Sequence, residues 1–124
     1  MDLGAFSVSL RVDDLDASRA FYETLGFQVT GGVAEEGWLI LVNGTTIIGL
    51  FHGHVEENVL TFNPGLDNHM AEVEDFTDVR EIQRRLQEAG VPIELGVDPD
   101  HPEGPGHMMV RDPDGNAILI DQFR

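Results

Sequence analysis

The chain has 124 residues, 41% of them hydrophobic, and no cysteine, so one domain with its own core is expected and disulfides, thiolate chemistry and zinc–thiolate sites are excluded. Its 23 acidic residues face only seven basic ones, all arginine, for a net charge of −16, which disfavours nucleic acid and anionic membrane surfaces as partners. No apolar run approaches the ~20 residues that span a bilayer, and the N-terminus lacks the basic-then-apolar pattern of a leader, so the expected location is cytoplasmic. The acidity admits two readings. One is a surface adapted to strong salt, where screening removes self-repulsion; the other is a site that attracts a cationic ligand. The acids are spread along the whole chain, which favours the first.

Residues 5–12 alternate Phe6, Val8 and Leu10 with Ser7, Ser9 and Arg11, the pattern of a half-buried strand. Asp13 and Asp14 break it. Asp16 is placed to cap a helix with Ala17, Ala20, Phe21, Thr24 and Leu25 on one face, and Gly26 ends it. Residues 27–33 read as a short strand, and 37–42 as a nearly continuous apolar one. Asn43-Gly44 is a hairpin signal, with the return strand over 45–52. Residues 59–62 have extended character inside a connector that turns at Asn63-Pro64-Gly65. A strand is expected over 68–74. Thr77 and Asp78 then open a helix with Val79, Ile82, Leu86 and Ala89 on its apolar face, stopped by Gly90. Residues 93–97 form a weak strand and 98–106 an acidic, proline- and glycine-rich loop. The chain closes with a hairpin over 108–123, turned by Asp112-Pro113-Asp114-Gly115.

The halves echo one another. Val12-Asp13-Asp14-Leu15 leads into a helix ending at Gly26, and Val73-Glu74-Asp75-Phe76 into one ending at Gly90. The two hairpins also correspond. Such an internal repeat implies two similar modules, about 1–53 and 67–124, joined by a connector over about 54–66. The expected fold is α+β: two tandem βαβββ modules forming a curved eight-stranded mixed sheet around a cleft, helices outside.

Three segments carry a resemblance: residues 6–29 (FSVSLRVDDLDASRAFYETLGFQV), 73–91 (VEDFTDVREIQRRLQEAGV) and 111–123 (RDPDGNAILIDQF). In their order and spacing the chain resembles the vicinal oxygen chelate superfamily, which includes glyoxalase I, bleomycin-resistance proteins and extradiol dioxygenases. The resemblance implies a homodimer. It also implies one His, Glu or Gln metal ligand on each of four cleft strands, where a divalent ion acts as Lewis acid. Carried over, these positions fall on Ser7, Gly49 (Ile48 in a slipped register), Asn68 and Leu119. None is a usual ligand, so no metal and no cofactor are expected.

Of the five histidines, His52 and His54 share a strand face, and a one-residue slip would bring His69 into the cleft. His101 and His107 flank the acidic loop and read as solvated. Glu72 and Asp121 alternate with the carried-over positions and are candidate catalytic carboxylates if burial raises their pKa. Ligand-binding candidates are therefore Ser7, Trp38, Gly49, Phe51, Asn68, Glu72, Leu119 and Asp121, with Trp38 and Phe51 as aromatic walls. The expected function is binding of a small aromatic or cationic ligand without metal, in the manner of a bleomycin-resistance protein. The alternatives are a metal enzyme with unusual ligands such as His52, His69 and Glu72, or a metal-free acid/base enzyme.

Overall fold

The computed structural model describes residues 1–124 and forms seven strands and two α-helices. In chain order these are β1 (Ala5–Arg11), α1 (Leu15–Thr24), β2 (Gln28–Val33), β3 (Trp38–Asn43), β4 (Thr46–Phe51), β5 (Val59–Asn63), α2 (Val79–Glu88), β6 (Gly106–Arg111) and β7 (Ala117–Gln122). They fall into two units, one of residues 7–59, the other of residues 1–6 with 60–124.

In the first unit the strand order is β2-β3-β4-β1. The β2–β3 and β3–β4 pairs are antiparallel and β1 runs parallel to β4, giving a mixed sheet. Strand alternation sends Leu39, Leu41, Ile48 and Leu50 to one face, where Leu10, Leu15, Tyr22 and Phe27 pack against them. Burying Leu15 on that face requires the helix to begin there. The cap is accordingly Asp14, whose Oδ1 accepts the Ala17 N–H at 3.0 Å, and not Asp16. Asp16 instead lies in the first turn, where its charge complements the helix dipole.

In the second unit the order is β5-β7-β6. The hairpin of β6 and β7 is antiparallel from Gly106↔Gln122 to Arg111↔Ala117. Its turn is held by Asp112, whose Oδ1 accepts the N–H groups of Asp114 and Asn116. Gly115 there takes a φ of +87°, a conformation that favours glycine. Helix α2 is capped by Asp78, which accepts the Arg80 N–H at 2.9 Å. It buries Val79 and Ile82 against Met108, Val110 and Ile120.

The strand count corrects the expectation of eight. Residues 68–74 are not a strand. Asp67 Oδ1 accepts the N–H groups of His69 and Ala71, and Met70 sits at φ +60°, so local turn bonds take the place of a ladder. Only the Leu66↔Glu72 bridge remains. The strand lies upstream instead, at β5, where Val59, Leu60, Thr61 and Phe62 supply β-branched and aromatic side chains. Residues 93–97, interrupted by Gly96, reduce to a single Leu95↔Met109 bridge. No helix is long and apolar enough to cross a membrane.

Candidate functional site

Cross-strand partners share a sheet face. On the face of the first unit opposite its core, Arg11, Phe51 and Trp38 form one row, and Ser9, Gly49 and Ile40 the next. Ser7 lies on the same face, two residues back along β1. The Trp38 and Phe51 rings stack with centroids 6.2 Å apart and planes 5° from parallel. His54 meets Phe51 edge-on at 6.4 Å. The Phe51 ring leans over Gly49, so a Cβ built there would stand 2.6 Å from Phe51 Cε2. Glycine leaves the space that the ring fills.

Beyond this shelf the unit is acidic. One depression is lined by Asp13, Asp14, Asp16, Glu35, Glu36 and His52. A second, sharing Asp13 and His52 with the first, adds Arg11, His54 and Glu56. His52 Nδ1 donates to the Val12 carbonyl at 3.1 Å and His54 Nε2 donates to that of Glu36. A carbonyl only accepts, so these bonds place the proton on those nitrogens in the neutral rings.

In the second unit, His107 and Asp121 face each other across β6 and β7, with Met109 and Leu119 the next pair on that face. Burial pushes the Asp121 carboxyl above its ordinary range, and the charge of His107 opposes this in part. His107, read from sequence as solvated, is exposed; what sequence reasoning missed is that it stands opposite Asp121. The signal was available, since His107 stands as far before Asp112 as Asp121 stands beyond Asn116, the two ends of the hairpin bend. Buried Asn63 donates to the Asp121 carbonyl at 2.9 Å and helps hold that stretch of β7 in place.

The carried-over metal positions do not fit an ion. Asn68 spends its amide on the backbone of Phe6, accepting its N–H at 2.7 Å and donating to its carbonyl at 3.2 Å. Leu119 offers no donor. Gly49 has none either, and Phe51 fills the room a donor side chain would need. Ser7 supplies at most a neutral hydroxyl, a poor ligand without carboxylates beside it. Glu72 and His69 are exposed in the 67–74 turn, and nowhere do three His, Asp or Glu side chains gather closely enough to hold an ion.

The Asp121 shift has a testable sign. Its folded pKa is raised, so its contribution to stability is present below the unfolded value and lost as pH rises through the folded one. Asp121→Asn should therefore raise the melting temperature at about pH 7 and give no such gain at about pH 3, where the unfolded carboxyl is itself protonated. Thermal melts followed by circular dichroism check this; an equal gain at both pH values would mean that ionisation is not the cause.

The sequence profile of the Glyoxalase/Bleomycin resistance protein/Dioxygenase superfamily matches residues 4–120. No curated protein matches the chain. Among solved structures the chain is similar to a glyoxalase/bleomycin resistance protein/dioxygenase superfamily member from Vibrio splendidus 12B01, with 19% identity, a TM-score of 0.68, and coverage of 94% of this chain and 97% of that one. It is also similar to an NAD-dependent benzaldehyde dehydrogenase from Legionella pneumophila, at 20% identity and a TM-score of 0.69 over 96% and 99% of the two chains. A third likeness is to the methylmalonyl-CoA epimerase of Mycobacterium tuberculosis, at 15% identity and a TM-score of 0.63 over 97% and 88%. At such identities the likeness is one of fold, which hosts many chemistries.

Proposed function

Since the chain belongs to the Glyoxalase/Bleomycin resistance protein/Dioxygenase superfamily, we propose that it is a metal-independent binding protein whose ligand is a small planar aromatic molecule. The observation that carries this reading is the Trp38–Phe51 stack on the open sheet face, with Gly49 beneath the Phe51 ring. A parallel aromatic pair is a preformed platform, and its rings lose little side-chain entropy when a ligand stacks on them. Ser7, on the same face, supplies a hydroxyl for orientation. Ser7, Gly49, Asn68 and Leu119 favour a metal-independent role through the chemistry of their side chains, and no step is routed through an ion.

Trp38 is the sole tryptophan, so its fluorescence reports on the shelf directly. Titration with 2-naphthamide, a neutral planar probe, should quench it saturably, and excess EDTA should leave the curve unchanged. Phe51→Ala should weaken binding by about tenfold, the upper range for loss of one stacked aromatic partner. Stoichiometric manganese, nickel, zinc or iron retained by protein purified without chelators, with binding lost on chelation, would defeat the proposal.

A second reading rests on Asp121. A half-buried carboxyl held above its ordinary range beside an imidazole is equipped to act as a general acid or base without a metal. If a turned-over substrate is found and Asp121→Asn keeps full activity, this reading falls.

A further inference from the structure

Six of the seven arginines are engaged. Arg19 pairs with Glu23, Arg80 with Asp78, Arg84 and Arg85 with Glu81, and Arg111 with Glu94. Arg124 donates to the carbonyls of Gly65 and Val73 and lies over the Phe76 ring. The guanidinium of Arg11 alone makes neither a hydrogen bond nor an ion pair, in a chain with 23 acids. Only the backbone of Arg11 is anchored, its N–H donating to Asn58 Oδ1 at 2.9 Å. Arg11 is exposed. It is in register with Phe51, and Phe51 with Trp38, so the unpaired cation and the two stacked rings leave the sheet from one row on one face.

From this juxtaposition we propose that the ligand of the shelf is an aromatic carboxylate, its ring against Trp38 and Phe51 and its carboxylate on the Arg11 guanidinium. This rests on the shelf reading and narrows it to a charge type opposite to the one the overall acidity suggests. The planar fork of a guanidinium matches a carboxylate with two parallel N–H···O bonds. Asp13, His52, His54 and Glu56 share the depression with Arg11, and neither acid pairs with it. Those two acids restrict the anion to a single charge, because a dianion such as a phosphate monoester would meet their repulsion as well. The net charge of −16 acts at longer range. It slows the approach of an anion and is screened by salt, whereas the local pair sets the affinity.

The test compares three probes with one ring system: 2-naphthoate, 2-naphthamide and 2-naphthylmethylammonium. Calorimetry on the wild-type protein should rank the carboxylate about tenfold tighter than the amide, the difference expected of a charge-assisted pair, with the ammonium weakest. Arg11→Met should erase the preference for the carboxylate and leave amide binding as it was. Its melting temperature should match wild type, since the side chain it removes has no partner. Equal affinity for all three probes, or preference for the ammonium, overturns the carboxylate assignment while leaving the shelf intact. Failure of all three to bind or to perturb Trp38 fluorescence overturns the assignment together with the shelf.

Discussion

Gln122→Leu is expected to destabilise the protein by about 3–5 kcal/mol, because it strands the buried Val79 N–H and takes a donor from three part-buried acceptors at once. The Gln122 side chain is 1% exposed. Its Oε1 accepts the Val79 N–H at 2.7 Å, one of the first-turn donors that helix α2 cannot satisfy internally. Its Nε2 donates to Asp78 Oδ2 at 2.9 Å, to the Arg124 carbonyl at 3.0 Å and to the Gly104 carbonyl at 3.1 Å. Leucine has a similar volume and makes none of these bonds, so the buried Val79 N–H keeps its desolvation cost, about 1–3 kcal/mol, and the three part-buried acceptors each lose a bond worth about 0.5–1.5 kcal/mol. Urea denaturation measures the loss; a cost under about 1 kcal/mol would mean that the network is not a buried structural unit. The acid side of the stability profile should change as well. Burial works to raise the Asp78 pKa, but hydrogen bonds from Gln122 and Arg80 and the Arg80 charge hold it below its ordinary value. A depressed carboxyl contributes stability above its unfolded pKa that disappears as pH falls. Without Gln122 that contribution shrinks, and stability should fall less steeply on acidification.

Local chemistry explains which parts of this architecture could be read from sequence. Both hairpins announce themselves, since Asn43-Gly44 and Asp112–Gly115 are turns whose residues form the bend without help from the rest of the fold. Helix α2 is equally plain, because Asp78, Val79 and Ile82 combine a cap with a buried face. The misplaced strand shows where such reasoning stops. Residues 59–63 and 68–74 both mix apolar and polar side chains without strict alternation, and the pattern alone does not decide between them. The decision is made by Asp67, whose side chain captures two backbone N–H groups and bends the chain, and by the better β-formers upstream. The site divides in the same way. Trp38 and Phe51 were identifiable as aromatic walls, but their stacking follows from the β3–β4 register, which places them directly opposite. Arg11 was read only as the polar beat of a strand. Its isolation appears once the partners of the other arginines are known: Arg19, Arg80, Arg84 and Arg85 have acids two to four residues away on a helix or its cap, whereas Arg11 ends a strand.

Gly49→Ala is the substitution expected to cost most in binding for the least change in chemistry. The Gly49 backbone is compatible with alanine, so the outcome is decided by space. The added Cβ would stand 2.6 Å from Phe51 Cε2, 3.3 Å from Phe51 Cζ and 3.5 Å from Ile40 Cδ1. No real Cβ contact is as short as the first, and an aromatic ring cannot bend, so Phe51 must swing away. Swinging it breaks the 5° alignment with Trp38 and removes half of the platform. Overpacking of this kind costs about 1–3 kcal/mol of stability, while affinity for 2-naphthamide should drop by about tenfold, as for Phe51→Ala, since Phe51 then no longer offers a face in the plane of Trp38. Adding Phe51→Leu separates the two effects. The smaller side chain relieves the clash, so the double variant should regain most of the lost stability and none of the lost affinity. If Gly49→Ala binds the probe as tightly as wild type, the ligand is not held on the stacked pair, and the side of the sheet chosen for the site is wrong.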